Sequence, residues 1–260
     1  WPAGDGVILA NDRPRVGFPT PSLLMALSLP LPRPNPMTLL AVTGASGKTG
    51  WRVVQEALQR GYQVRAIVRP QSTIPAGLEG AEICRLELAT TEALHRALAG
   101  CDGLVIATGA RPSVDLFGPM KVDAFGVRDQ LRACQAVGLE RVVLVSSLCA
   151  GRWKHPLNLF GLILVWKRLG EQWLQQSGLK VTVVRPGGLS ENDAGLEQQG
   201  IRFTGADQQE SNSIPRRLVA RVCLDAFESP AAIGQIIEVT SSASQPARSL
   251  SDWLTSQAPA

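Results

Sequence analysis

Leu39-Leu40-Ala41-Val42-Thr43-Gly44-Ala45-Ser46-Gly47-Lys48-Thr49-Gly50 is the segment from which the rest of the chain is read. Its apolar start predicts a short buried strand, and the glycines at 44, 47 and 50 interrupt that strand at Thr43. From Lys48 to Gln59 the spacing becomes helical, with Val53, Val54, Ala57 and Leu58 as the apolar stripe. Strand-like runs recur at 64–68, 82–86, 103–107, 141–145, 180–184 and 235–239. Amphipathic stretches lie between most of them, at 122–136, 162–176 and 215–227. Apolar strands alternating with helices predict an α/β domain: a doubly wound parallel sheet covered on both faces. Right-handed crossovers place its ligand crevice at the carboxyl ends of the strands.

A strand followed by Gly44-x-x-Gly47-x-x-Gly50 and a helix matches the dinucleotide-binding turn of the Rossmann fold. The first glycine permits the sharp turn, the second lets a pyrophosphate approach the backbone, and the third lets helix and strand pack closely. Amides at the helix N-terminus then meet the phosphate charge. Gly47-Lys48-Thr49 also resembles the end of an ATP-binding P-loop, but that loop needs a glycine where Val42 stands inside the strand. Lys48 is therefore expected in the first helical turn. An NAD site usually offers Asp or Glu about 20 residues further on for the ribose 2′-hydroxyl. This chain has Arg69 there, after Val68, which suits the 2′-phosphate of NADP and makes NAD the less favoured cofactor.

The 260 residues suffice for one large α/β domain, and 45% hydrophobic with 18% charged residues is an ordinary globular composition. A net charge of +4 and a pI near 9.0 come from scattered residues, which gives no signature of nucleic-acid binding. Arg216-Arg217, a basic pair, is expected as the first turn of a surface helix. Cys84, Cys101, Cys134, Cys149 and Cys223 have no metal-binding spacing and only His95 and His155 beside them. They are expected as free thiols, mostly buried, in a reducing compartment: the cytoplasm, or the plastid stroma in a plant. No metal site is expected. Apolar runs are too short for a membrane span, so a soluble monomer or dimer is expected. Residues 1–36 hold eight of the eighteen prolines and no surviving period. They are expected as a loose or non-native extension ahead of Met37, with a targeting peptide as the other possibility, and 37–260 as the nucleotide-binding domain.

The glycine turn, Val145-Ser146-Ser147, Leu164-Val165-Trp166-Lys167-Arg168 and Val184-Arg185-Pro186-Gly187-Gly188-Leu189 together resemble the atypical short-chain dehydrogenase/reductases. The likeness points to their NmrA-like NAD(P)-binding branch of cyanobacteria and chloroplasts, and Lys167-Arg168-x-x-Glu171-x-x-Leu174-x-x-Ser177-Gly178 is characteristic of it. It covers about 38–242. The resemblance implies that Gly44, Ala45, Ser46, Gly47, Lys48, Thr49 and Gly50 surround the pyrophosphate, with Arg69 at the adenosine phosphate. Glu87-Leu88 would lie beside the adenine, and Ala107-Thr108-Gly109 behind the cofactor. Ser146 would border it, Lys167 would hydrogen-bond the nicotinamide ribose, and Pro186-Gly187 would run along the nicotinamide.

One departure matters. The superfamily's catalytic pair is Tyr-x-x-x-Lys, and Ile163 stands four residues before Lys167. Tyr62, the lone tyrosine, precedes the second strand. Without that phenol, carbonyl reduction lacks its usual acid, a role left to Ser146, Ser147 or a water held by Lys167. Two functions follow: an NADP-dependent oxidoreductase acting on a small acceptor, with Lys167 and Ser147 as catalytic candidates, or a non-catalytic NADP-binding sensor or scaffold with a protein partner. Lys167 could also be a snorkelling surface residue. The segments 151–162 and 189–214 are expected to wall a substrate pocket. Within the first, Trp153, His155 and Phe160 are either substrate contacts or loop packing.

Overall fold

A computed structural model describes residues 38–110, 117–152, 154–159 and 161–257. The expectations for 1–36, Met37, Trp153 and Phe160 lie outside them. In chain order the elements are β1 (Leu39–Thr43), α1 (Gly50–Gln59), β2 (Gln63–Val68), β3 (Glu82–Arg85), α2 (Thr91–Leu98) and β4 (Gly103–Ile106). There follow α3 (Gly126–Val137), β5 (Arg141–Val145), α4 (Ile163–Gln175), β6 (Lys180–Pro186), β7 (Gly188–Ser190) and β8 (Gly200–Thr204). The chain closes with β9 (Ser213–Pro215), α5 (Arg216–Glu228), β10 (Ile236–Ser242) and α6 (Leu250–Gln257).

The main sheet runs β3-β2-β1-β4-β5-β6-β10-β8. Strands β1 and β4 are neighbours although β2 and β3 intervene in sequence, so the order reverses at β1. The loops leaving β1 and β4 depart on either side of that reversal and open a crevice at the strands' carboxyl ends. Each strand alternates its side chains between the two faces. Leu40 and Val42 join Val53, Val54, Ala57, Val219 and Cys223 under α1 and α5. Ala41, Leu104 and Ile106 join Leu94, Leu98, Val127 and Leu174 under α2, α3 and α4.

Two features depart from the sequence expectation. The sheet is not wholly parallel: β8 pairs antiparallel with β10, from Gly200↔Ser242 to Thr204↔Glu238. Part of the expected pocket wall at 189–214 is therefore sheet edge, while β7 and β9 form a separate parallel pair. The helix after β1 begins at Gly50, so Lys48 belongs to the turn and not to the first helical turn. All five cysteines are free. Cys134 and Cys223 are buried, and burial pushes both thiols up to about 12.

At the heart of the fold lies a buried ion cluster. Arg185 on β6 donates to both carboxylate oxygens of Glu171 on α4, at 2.9 and 2.7 Å. It also meets Glu238 on β10 at 3.4 Å and Asp207 at 2.9 Å. Arg185, Glu171 and Glu238 are fully buried. Burial alone would lower the guanidinium's hold on its proton, but Glu171, Asp207 and Glu238 outweigh it and raise it above its ordinary value. Glu238 is held in turn by the backbone N–H groups of Asp207, Gln208 and Gln209 at 2.8–3.0 Å. Removing one partner of a buried pair strands the other charge in the core. Arg185→Ala is expected to cost about 3–5 kcal/mol in urea unfolding, and a loss below about 1 kcal/mol would show that the cluster is not structural.

Candidate cofactor site

The glycine turn has the backbone that its sequence requires. Gly44 has φ +69°, and a Cβ there would sit 2.7 Å from the carbonyl oxygen of Ala107. It is glycine for two reasons, the left-handed conformation and the close approach of the chain leaving β4. A Cβ on Gly50 would collide with the carbonyl of Gly44, so the third glycine lets α1 start against the turn. The N–H of Gly47 donates to the Gly44 carbonyl at 2.8 Å, and a Cβ on Gly47 would meet only that oxygen, at 3.0 Å. Otherwise Gly47 faces open space, as a backbone approached by a ligand must.

The neighbouring loops converge on this turn. Ser46 Oγ donates to Ser72 Oγ at 3.0 Å, tying the turn to the loop after β2. Arg85 holds that loop from below through the carbonyls of Pro70 and Ser72, at 2.7 and 2.9 Å. Arg69, at its start, is exposed and makes no ion pair among the described residues. Glu87 is exposed and Leu88 half-buried on the chain leaving β3. At the ends of β4 and β5, Thr108 Oγ1 and Ser146 Oγ are buried without a hydrogen-bond partner among the described residues. Buried hydroxyls are rarely left so, and two of them facing one crevice fit a polar ligand that completes them. Ser147 is half-buried beside Ser146, and Pro186 and Gly187 are buried at the end of β6. Gly187 has a structural reason of its own, since a Cβ there would strike the carbonyl of Asn212.

Lys167 points into the same region. Its Nζ donates to Asp123 Oδ1 at 2.7 Å, the lysine side chain being 13% exposed and the aspartate 2%. The ammonium lies 3.6 Å from the position a Gly109 Cβ would take. Asp123 Oδ2 accepts the N–H of Ala110 at 3.2 Å, so the pair is anchored to the chain leaving β4. A buried ion pair is not a snorkelling surface residue. Asp123 was not legible as a site residue: it lies in a π-helical turn, Met120–Phe125, that leads into α3. Such turns occur often at functional sites because they re-aim a side chain, and no sequence period marks them. Gly170 completes the arrangement, since any side chain there would strike the Asp123 carbonyl and push α4 away.

The tyrosine position is apolar in space as well as in sequence. Ile163 is buried with Leu164, Leu148 and Cys149. Tyr62 is at the amino end of β2, away from the crevice, with its hydroxyl 3.1 Å from Glu228 Oε1. His155 Nδ1 accepts the N–H of Leu157, and Leu157, Leu159 and Leu162 are exposed apolar residues of the segment leading into α4. The Arg216-Arg217 pair does open α5, but it packs on α1 and is not a solvated surface turn: Arg216 donates to Thr49 Oγ1 at 3.0 Å. Among the described residues no group of His, Cys, Asp and Glu could hold a metal, and no helix is long and apolar enough to cross a membrane.

With this geometry in view, the comparison with known proteins is direct. Residues 44–230 match the family model described as NAD(P)H-binding. The chain belongs to the NAD(P)H-binding family. An uncharacterized chloroplastic protein of Arabidopsis thaliana is 35% identical over 229 residues, spanning 83% of this chain and 81% of that one. Sanguinarine reductase of Eschscholzia californica is 29% identical, over 72% of this chain and 83% of its own. Among solved structures, a candidate NAD-dependent epimerase/dehydratase of Bacillus halodurans superposes with a TM-score of 0.71 at 28% identity, covering 79% of this chain and 94% of that one. The likeness to the atypical short-chain dehydrogenase/reductases stands with these relatives.

In this NAD(P)H-binding protein Gly47→Val is expected to keep the fold, with an unchanged circular dichroism spectrum, and to lose nicotinamide dinucleotide binding by calorimetry. Normal binding by the variant would place the diphosphate away from this turn.

Proposed function

We propose that this protein binds NADP(H) and is an oxidoreductase of the atypical short-chain type, acting on a small acceptor. The observation that carries the proposal is the Lys167–Asp123 pair, built beside Thr108 and Ser146 where the crevice opens. In this reading Gly44 to Gly50 hold the diphosphate, and Arg69 stands unpaired to receive the 2′-phosphate. Glu87-Leu88 flank the adenine, and Ala107-Thr108-Gly109 with Ser146 line the inner wall. Pro186-Gly187 border the nicotinamide, and Lys167 reaches the adjoining ribose.

Bound NADPH would supply a hydride. The chain's own part is to orient and to move a proton. Asp123 fixes the Lys167 ammonium in direction, and the ammonium can hold a water or the Ser147 hydroxyl against an acceptor oxygen. The exposed Leu157, Leu159 and Leu162, in the segment expected to wall the substrate pocket, would favour an acceptor with a large apolar body. The reductase among the relatives supports a catalytic reading, and the chloroplastic one supports a plastid setting if the source is a plant.

The second reading is a non-catalytic NADP-binding sensor or scaffold, and Ile163 favours it. A buried isoleucine in the tyrosine position leaves no phenol to protonate a substrate. The two are separated by single-turnover NADPH oxidation with a panel of aldehydes, ketones and quinones. Turnover that falls in Lys167→Met while NADPH binding weakens only modestly supports the enzyme. Tight NADPH binding with no turnover on any acceptor supports the sensor.

Cofactor choice has its own test. Losing a charge-assisted contact of this kind costs about 1.5–3 kcal/mol, or roughly ten- to hundred-fold in affinity. Arg69→Ala is therefore expected to weaken NADPH by that factor and to leave NADH unchanged. An unaltered preference would remove Arg69 from the site.

A further inference from the structure

Four cations gather where α1 and α5 meet the glycine turn, and three of them have a carboxylate. Lys48 pairs with Glu191. Arg52 donates to Asp193 Oδ2 at 3.2 and 3.1 Å and to the Lys48 carbonyl at 2.8 Å. Arg217 shares Asp193 at 4.0 Å and lies over the Trp51 ring. Arg216 is the exception. It makes no ion pair among the described residues, its Nη1 donates to Thr49 Oγ1, and its Nε is buried without a partner. Burial pushes this guanidinium below its ordinary value; Glu191 opposes the shift from beyond pairing distance and Arg52 adds to it.

A desolvated guanidinium with an idle N–H is costly unless an anion completes it. The hydroxyl that it touches belongs to the glycine turn itself, with the open face of Gly47 two residues away. Glu191 pairs with Lys48, and Asp193 is shared by Arg52 and Arg217 through Oδ2; its Oδ1 has no hydrogen bond, yet neither carboxylate pairs with Arg216 among the described residues, which leaves that guanidinium open to an anion from outside the chain. We infer that Arg216, reaching over from α5, is a binding residue for the diphosphate of the nucleotide and supplies a side-chain charge not already paired, as Lys48 of the turn is with Glu191. The inference rests on the cofactor reading above and adds to it a residue 166 positions beyond Gly50. Here Thr49 works as the hinge of the contact: its hydroxyl accepts from the guanidinium, whose other N–H groups can meet a phosphate oxygen.

The test is calorimetric titration of wild type, R216Q and R216K with NADPH, ADP-ribose, inorganic pyrophosphate and 2′-AMP. ADP-ribose has the diphosphate without the 2′-phosphate, and 2′-AMP has the reverse. R216Q is expected to weaken NADPH and ADP-ribose about ten-fold or more, as for other charge-assisted contacts. It should leave 2′-AMP within about two-fold, and flatten the salt dependence of ADP-ribose binding. R216K, which keeps the charge, should recover part of the loss. Equal weakening of 2′-AMP would mean that R216Q perturbs the fold and would overturn the inference, as would unchanged ADP-ribose binding. Pyrophosphate binding that is lost in R216Q while ADP-ribose binding is untouched would reveal an inorganic anion site and also overturn it. Wild type that binds neither NADPH nor ADP-ribose would sink the cofactor reading itself, an outcome distinct from the failure of Arg216 alone.

Discussion

The buried contact between Arg185 and Glu171 joins the central sheet to the helix that bears Lys167, and the candidate site depends on it. Both side chains are fully buried, and their fork-on-fork geometry leaves little rotational freedom. Glu171 is one helical turn beyond Lys167, so fixing the one sets the rotation of α4 and the direction of the other. Glu238 and its three backbone donors extend the same lock to β10 and to the chain after β8. A pair of this kind adds little net stability over apolar packing, but displacing either partner would strand a buried charge. Precision is what a site on a helix face needs.

Around that lock the crevice is built from groups left incomplete. Among the described residues Thr108 and Ser146 hold hydroxyls without partners, Arg69 has no carboxylate, and Arg216 keeps an idle N–H. Among the described residues Asp193 Oδ1 and Gln245 Oε1 are also buried without partners, whereas Thr43 is satisfied by Gln130 at 2.6 Å and Thr182 by the Ala232 carbonyl at 2.7 Å. Buried hydroxyls and an idle buried N–H gathered around one crevice are costly in themselves, and this supports the proposed ligand site. Their chemistry is consistent: hydroxyls and guanidinium groups seek oxygen anions.

Some of this was open to inspection in the chain alone. The seven parallel strands follow the strand-like runs, and Gly44 and Gly50 are each required where the spacing placed them, while Gly47 leaves its backbone open. The antiparallel edge at Gly200–Thr204 was missed because its burial alternates, and a short edge strand lacks the continuous apolar run of its buried neighbours. Asp123 was missed because a π-helical turn breaks the helical period at that residue. Arg216 was seen, yet placed on the surface, since nothing in a basic pair tells which way its helix will face.

Local chemistry is what the sequence by itself determined: where strands stop, where glycine is obligatory, which motif marks a dinucleotide turn, and that no tyrosine precedes Lys167. These depend on neighbours within a few residues, and such interactions are encoded in spacing. The tertiary structure alone decided which distant residues complete one another. Lys167 with Asp123, Arg185 with Glu171 and Glu238, and Thr49 with Arg216 are separated by 44, 14, 53 and 167 positions. Their meeting is set by the packing of helices across a twisted sheet, where a side chain's partner depends on crossover order and helix rotation, and neither quantity has a local signature.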